Sequence, residues 1–244
     1  MQVWELGPGR LMVAGGFSDL ALHHHAAVQV TVGGRGPLTV TCDGDTHDVA
    51  RLVVIASGAR HAVRSNSESG ALTLYLGLQT TEGIALNTKA RHGVWVVDDG
   101  QNLAETTAAL LDTDGPDAAA DFLVDQLCGT QQPGSVHPQL KKAIEVVSSR
   151  VPDRIDVASV AEAVALSPDY LGRLCKQQAG ISFSATIRWE RLVAAVSYLL
   201  DGYSVTDAAH LAGFADGSHA NKVCWEMTGA TPRELAEAVR KTLI

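Results

Sequence analysis

The second half of the chain repeats itself, and this duplication constrains the fold more than any other feature of the sequence. Matching residues are 48 positions apart before an internal turn and 49 apart after it, so the second turn carries one extra residue. The matched residues are Val157, Ala161, Ala165, Leu166, Leu171, Arg173, Leu174, Cys175, Gly180 and Ser182 in the first copy, and Val205, Ala209, Gly213, Phe214, Ala220, Lys222, Val223, Cys224, Gly229 and Thr231 in the second.

Each copy has the residue pattern of a helix-turn-helix unit. A small residue, Ala161 or Ala209, lets two helices approach closely, and four residues later Ala165 or Gly213 closes the first helix. Apolar residues then dock the second helix and leave its outer face free for a DNA major groove. One such pattern is weak evidence, whereas two copies at matched spacing are strong. The sequence therefore predicts two helix-turn-helix units.

Helical patterns cover the chain from residue 138 onward. Ser167-Pro168 and Thr231-Pro232 are N-cap signals followed by a proline at the first helical position. About 17 residues of the connecting helix, at 1.5 Å each, give a rod of roughly 25 Å. Such a rod would hold two recognition helices about one DNA turn apart, roughly 34 Å. The predicted helices are 138–150, 157–164, 168–178, 184–200, 206–212, 218–227 and 232–242.

The first half has a different character. Fourteen of the 23 glycines precede residue 101, and the short apolar runs VQVTV, LTVTC, RLVVIA and LTLYLGL are separated by glycine-rich and polar turns. Strands of this length and spacing predict an all-β sandwich or small barrel over residues 1–97. A βαβ unit is the alternative, but no helical pattern lies between the runs.

Residues 102–128 are rich in alanine and leucine at helical spacing, with a turn at Asp114-Gly115-Pro116. They predict a short helical hairpin, which either pairs two subunits or packs only on its own β-domain. The polar stretch 130–137 reads as a linker. The expected fold is therefore α+β in two domains, 1–129 and 138–244.

Charge is divided unevenly along the chain. Residues 1–133 hold seven Lys/Arg and fifteen Asp/Glu, which accounts for the whole net charge of −8, and residues 134–244 hold twelve of each. A neutral second half is compatible with DNA binding and predicts modest non-specific affinity. Four scattered cysteines, no apolar run near 18 residues and no signal-like N-terminus predict a cytoplasmic protein without a disulfide framework or a membrane partner.

Residues 138–240 resemble the DNA-binding domain of the AraC family of bacterial transcription regulators. The segments that carry the resemblance are LSPDYLGRLCKQQAGISFSATI, WERLVAAVSYLLDG and SVTDAAHLAGFADGSHANKVCWEMTGATPREL. It implies a regulator that binds double-stranded promoter DNA and is no enzyme, with RNA polymerase as a further candidate partner. Cys175, Cys224, Ala220 and Trp225 depart from the usual family residues, so we expect looser packing and weaker phosphate contact in the second unit.

The resemblance also assigns residues on the two recognition helices. With Tyr170, Leu171, Leu174 and Cys175 turned inward, Arg173 is the expected main reader, since arginine pairs bidentately with guanine; a solvated surface charge is the alternative. The helix of the second unit either reads bases or mainly positions the DNA backbone. The expected contact residues are Asp169, Gly172, Arg173, Lys176, Gly217, Ser218, His219, Asn221 and Lys222. The phosphate candidates are Lys141, Lys142, Arg150, Arg154, Arg188 and Arg191.

Family regulators often carry an N-terminal cupin-like barrel that binds an effector, and the first half has traces of the cupin pattern. His23-His24-His25 with Gln29 resembles the first cupin motif, and Ser57-Gly58-Ala59-Arg60-His61 resembles the second. Strand alternation would place His23, His25 and Gln29 together and His24 opposite, with His61 completing the set. Three imidazoles and an oxygen suit zinc, iron, copper or nickel. Pocket residues without a metal, or a structural role, are the alternatives.

The leading hypothesis is a homodimeric transcription regulator controlled by a small-molecule or metal effector in the cupin-like domain. Two others stay open at this point. The chain could be a metal-dependent cupin enzyme with an appended helical module, which would bind metal and turn over a substrate. It could also be an interaction protein that kept the helical fold but lost the basic contacts, as the neutral second half suggests. The sequence offers no nucleophile–base pair, phosphate-binding glycine loop or paired-carboxylate site.

Overall fold

The computed structural model describes residues 2–15, 21–42, 44–49, 51–65, 70–91, 93–129, 136–151, 153 and 155–242. Within these ranges the chain is α+β in two parts, a β-sheet region followed by a helical region. No helix of the described chain is both long and apolar enough to cross a membrane.

The strands of the first part form two antiparallel sheets. One has the order β1-β2-β8-β3-β6-β9 and the other β5-β4-β7. Strand β3 lies between β8 and β6, and all seven of its residues are buried, as expected of a valine-rich central strand. The strands are β1 Gln2–Glu5, β2 Arg10–Gly15, β3 Ala27–Gly33, β4 Leu38–Cys42, β5 Asp45–Val49, β6 Leu52–Ile55, β7 His61–Ser65, β8 Ala71–Gly77 and β9 Val94–Val96.

The closed barrel implied by the cupin resemblance is not found among the described residues. A small apolar core joins the two sheets instead, with Leu38 and Val40 from β4 packed with Val53 and Ile55 from β6. The described strands therefore form two sheets that share this core.

Residues 1–97 are not strands and turns throughout, because a helix, α1 Thr81–Ala90, interrupts them. The Thr80 hydroxyl accepts a hydrogen bond from the Gly83 backbone N–H at 3.0 Å and caps the helix. Gly83 lowers the helical signal of the sequence, yet the fold requires it, since a Cβ there would lie 2.2 Å from the Gly77 carbonyl oxygen. The close approach of Gly77, six residues earlier, therefore explains a glycine inside this helix.

Helices α2 Gly100–Thr113 and α3 Pro116–Cys128 form a hairpin across the turn at Asp114-Gly115-Pro116. Helix α2 packs on β3 and β6, and α3 packs on α1. Residues 130–135 of the expected linker lie outside the described residues. The domain boundaries at 129 and 138, and pairing of subunits through the hairpin, stay predictions.

Seven helices make up the second part, and each lies within one residue of its predicted ends. Side-chain caps explain this agreement: Asp156, Ser167, Ser182, Ser204 and Asp216 each accept a hydrogen bond from a first-turn backbone N–H. The helices are α4 Pro138–Arg150, α5 Val157–Ala163, α6 Pro168–Ala179, α7 Phe183–Leu200, α8 Val205–Leu211, α9 Gly217–Thr228 and α10 Pro232–Thr242.

The internal repeat has a direct conformational counterpart. The turn of the first unit holds Ala165 at φ 55°, and the turn of the second holds Gly213 at φ 79°. These two residues match in the repeat, and both adopt the left-handed backbone that closes the first helix of each pair. The two units, α5–α6 and α8–α9, therefore share one backbone path, with α7 between them.

Candidate functional site

Helix α6 is the second helix of the first unit. Leu171, Leu174 and Cys175 are buried, as the pattern predicts, while Asp169 and Arg173 are exposed. Gly172 is half-buried, and a Cβ there would meet nothing within 4 Å, so open space lies in front of the helix at this point. The outward face of α6 is thus exposed at these positions.

Tyr170 does not turn inward as expected. Its side chain is 40% exposed, and its ring lies edge-on to His137, with the ring centroids 6.3 Å apart. The Arg173 guanidinium lies 6.0 Å from the Tyr170 ring centroid. Lys176, although exposed, donates to the Gly180 carbonyl at 2.9 Å and thereby caps the end of α6. Lys176 is thus engaged by a backbone carbonyl, whereas the contact recorded for Arg173 among the described residues is the one with the Tyr170 ring.

Helix α9 is the equivalent helix of the second unit. Its outward face carries small and polar side chains, and the exposed Trp225 extends the same face one turn further. His219 is half-buried, with its ring centroid 5.6 Å from that of Phe214. The exposed contact candidates on this helix are Gly217, Ser218, Asn221 and Lys222.

The second unit contains a cavity of about 80 Å³ beneath α9. Ala220 and Cys224 line it, and these are two of the positions at which the sequence has unusually small residues. Atoms that border a void lose packing contacts. The cavity agrees with the expectation of looser packing in this unit.

The candidate phosphate-binding residues differ in their exposure and in their contacts within the protein. Lys142 and Arg150 are exposed, whereas the guanidinium of Arg188 donates to both carboxylate oxygens of Glu226, at 3.1 and 3.3 Å. Burial lowers the pKa of the half-buried Arg191. Lys141 is half-buried, and Arg154 lies outside the described residues. Arg188 is therefore bound within the protein instead of being presented to DNA.

The first part brings His23, His25 and His61 together in its interior. The three side chains are buried, and one potential ligand nitrogen of each lies within 4.8 Å of the others. Residues 23 and 61 form an isolated β-bridge, which sets the two motifs side by side although His23 and His25 precede β3 and lie on no regular strand. His24 is half-buried and is not part of this group. We call His23, His25, His61 and Gln29 the three-histidine centre.

Backbone carbonyls fix the protonation of all three rings. The Nδ1 atoms of His23, His25 and His61 lie 2.8, 3.0 and 2.9 Å from carbonyl oxygens of nearby alanines. Because a carbonyl only accepts, each Nδ1 carries the hydrogen, and in a neutral ring each Nε2 is left with a free lone pair. This is the second-shell arrangement that metal-ligating histidines adopt.

The Nε2 atoms lack suitable partners within the protein. Gln29 Oε1 lies 2.9 Å from both His25 Nε2 and His61 Nε2, so a carbonyl oxygen faces two lone pairs. His23 Nε2 is buried with no hydrogen-bond partner. A cation between these atoms removes the repulsion. A half-turn of the Gln29 amide would satisfy His25 and His61 without a metal, but it would leave His23 Nε2 unsatisfied.

Electrostatics keep the three rings neutral. Burial, together with the neighbouring His23, lowers the pKa of His25 to about 3. Burial is also the main cause of the lowered pKa values of His23 and His61. Neutral imidazole is the form that binds a transition metal. The nitrogen and amide donors of the centre therefore fit such an ion.

Comparison with known proteins concerns mainly the helical part. A family model described as "Helix-turn-helix domain" matches residues 160–238. The arabinose operon regulatory protein of Escherichia coli is 32% identical over 107 residues, which are 41% of this chain and 36% of that protein. The regulatory protein PocR of Salmonella typhimurium is 28% identical over 113 residues, 46% of this chain and 37% of that protein. The chain carries an AraC-family helix-turn-helix domain.

These relatives are covered over little more than a third of their length. The matched family is a helix-turn-helix family and not an enzyme family. Over the whole chain the fold is similar to that of ToxT from Vibrio cholerae, with a TM-score of 0.64 and 13% identity over 94% of this chain and 97% of that one. A β-sheet region followed by a helical region is thus a known fold.

Sequence reasoning missed the contact between the three-histidine centre and the AraC-family domain. Trp189 on α7 is a buried residue of the core. Its ring also lies against His25 and Tyr75, with centroids 5.1 and 5.4 Å away. No local pattern signals this contact, because His25 and Trp189 lie on different parts of the chain.

Proposed function

We propose that this protein is a sequence-specific DNA-binding transcription regulator in which α6 and α9 enter successive major grooves of promoter DNA. The observation that supports it best is the duplicated unit, with matching left-handed turns at Ala165 and Gly213 and an exposed face on each second helix. Arg173 is the proposed base reader, while Asn221 and Lys222 position the second helix. RNA polymerase and a second subunit remain predicted partners.

Binding to the protein's own upstream region, compared with random duplex over a range of salt concentrations, tests this function. We expect preference for the upstream sequence and a negative salt slope. Arg173→Ala should cost roughly 1–3 kcal/mol of discrimination at one base pair, whereas Lys142→Ala should weaken all sequences alike. Equal affinity for both duplexes would instead support the interaction protein without a DNA role.

The proposed effector binds in the β-sheet region at the three-histidine centre, and it is a divalent transition metal. His23 Nε2 is buried without a hydrogen-bond partner and lies close to the free nitrogens of two other histidines. This arrangement supports a metal more directly than it supports an organic ligand. One solved structure of ToxT holds an unsaturated fatty acid. Here, however, the apolar cavity between β1, β2, α7 and α10 measures about 30 Å³, far below the roughly 300–1,000 Å³ of ordinary ligand pockets.

Elemental analysis of untagged protein, purified without chelator, tests the metal. We expect close to one equivalent of zinc, nickel, iron or copper per chain. Less than about 0.1 equivalent of every transition metal would overturn this assignment and return the centre to a polar pocket. The DNA-binding proposal does not depend on that result.

A further inference from the structure

The AraC-family domain covers the three-histidine centre from one side. The His25 ring, one of the candidate ligands, lies 5.1 Å from the Trp189 ring of α7, centroid to centroid, and both side chains are almost fully buried. A ligand that moves or holds His25 therefore acts directly on a residue of the helix that connects the two DNA-binding units.

A second contact reaches α9 through the residue between two candidate ligands. The His24 backbone N–H donates to the Glu226 carbonyl at 3.3 Å, and His24 Nε2 lies 3.9 Å from Glu226 Oε1. Glu226 is itself bound by Arg188 at the start of α7. His24 thus joins the centre to the end of the second recognition helix.

A third contact reaches the end of α6. In the segment just before His61, a Cβ on Gly58 would lie 2.6 Å from the Gly180 carbonyl carbon, so the two backbones touch. Asn87 reinforces the contact, because its amide accepts from the Ser57 N–H at 2.9 Å and donates to the Gln178 carbonyl at 3.0 Å. The first recognition helix therefore rests on the segment that presents His61.

We propose that metal binding at the three-histidine centre fixes the relative positions of α6, α7 and α9 and thereby raises the affinity of the protein for DNA. This inference rests on the proposed function and deepens it by naming the regulation. Helix α7 contacts a candidate ligand directly, α9 contacts the residue between two candidate ligands, and the end of α6 contacts the loop that precedes a third. The outward faces of α6 and α9 stay exposed while these contacts are made. A metal that orders the centre therefore reduces the conformational entropy that the protein loses when DNA fixes the distance between the two recognition helices.

The geometry of the centre predicts a movement on binding. Ligand atoms about 2.0–2.1 Å from a tetrahedral ion lie roughly 3.3 Å from one another. The candidate nitrogens of the three rings lie within 4.8 Å of one another, and Gln29 Oε1 lies only 2.9 Å from two of them, so the rings and the amide must readjust to reach this even spacing. His25 then shifts against Trp189. The fluorescence of Trp189 should therefore change on metal binding. It can be measured alone in a variant in which Trp4, Trp95 and Trp225 are replaced by phenylalanine, and Ni²⁺ should quench it more strongly than Zn²⁺.

Linked binding of Zn²⁺ or Ni²⁺ and upstream DNA to the full chain tests the inference. We expect either metal to tighten DNA binding by about 5- to 150-fold, and DNA to tighten metal binding by the same factor. His23→Gln should weaken metal binding and remove most of the gain in DNA affinity that the metal produces. Glu226→Gln should keep metal binding but reduce the coupling, while Glu237→Gln, which alters an exposed ion pair on α10, should change neither.

The outcomes separate the two proposals. Metal binding and specific DNA binding with no mutual effect, or with metal weakening DNA binding, would overturn the inference and leave the proposed function intact. An unaltered coupling in Glu226→Gln, together with unchanged Trp189 fluorescence, would also overturn it. Absence of specific DNA binding with and without metal would overturn the proposed function itself.

Discussion

Gly58→Ala tests directly whether the β-sheet region and the AraC-family domain share a tight interface. Gly58 has φ +76°, and an added Cβ would stand 2.6 and 2.7 Å from the carbonyl carbon and oxygen of Gly180. Ordinary van der Waals contacts begin near 3.4 Å. The substitution must therefore push the two backbones apart by about 0.8 Å, since neither contact partner is a flexible side chain.

The expected loss of stability has two parts. A left-handed backbone costs alanine about 1–2 kcal/mol relative to glycine. Overpacking of a close contact adds about 1–3 kcal/mol. Gly7→Ala is the matched control, because Gly7 has φ +97° and nothing lies within 4 Å of its added Cβ. Gly58→Ala should therefore lower the free energy of unfolding by about 1–3 kcal/mol more than Gly7→Ala does.

Urea unfolding of both variants measures this difference, and amide hydrogen exchange locates it. Exchange should accelerate around residues 57–61 and 178–181 in Gly58→Ala and stay unchanged there in Gly7→Ala. If the two variants lost the same stability and showed the same exchange in these segments, the backbone contact between the two regions would be refuted.

Four further substitutions test other parts of the structure. Burial raises the pKa of the Glu190 carboxyl from 4.5 to about 7, so its contribution to stability is present below pH 4.5 and lost as pH rises through about 7. We therefore expect the free energy of unfolding of Glu190→Gln, measured in urea, to rise by about 3 kcal/mol relative to that of the parent protein as the pH increases from 4.5 to 8. The same pH dependence of the free energy of unfolding in both proteins would contradict this expectation. Residues 165 and 213 both have a left-handed backbone, which glycine adopts more easily than alanine. In thermal unfolding, Ala165→Gly should therefore stabilise the protein by roughly 0.5–1 kcal/mol, and Gly213→Ala should destabilise it. Ala220→Met should fill the cavity of about 80 Å³, stabilise the protein by about 1 kcal/mol and so raise its melting temperature. A lower melting temperature would show that the cavity cannot accept the larger side chain.

The sequence predicted the helices of the second part because their signals are local. Serine and aspartate caps and apolar periodicity act within a few residues of each helix end. Helix α1 was missed because Gly83 weakens its local signal, and only the approach of Gly77 explains that glycine. Tyr170 was placed inward by periodicity, yet its ring packs on His137, a residue from before α4, and stays partly exposed.

The sequence by itself determined the duplicated helix-turn-helix units, the exposed recognition faces and the histidines able to form a cluster. It could do so because capping, periodicity and repeat spacing are properties of neighbouring residues. Only the tertiary structure decided that the sheets stay open, that Gln29 Oε1 faces two imidazoles, and that Trp189, Glu226 and Gly180 meet the centre. These contacts join residues far apart in the chain, so they depend on how whole elements pack and not on any local pattern.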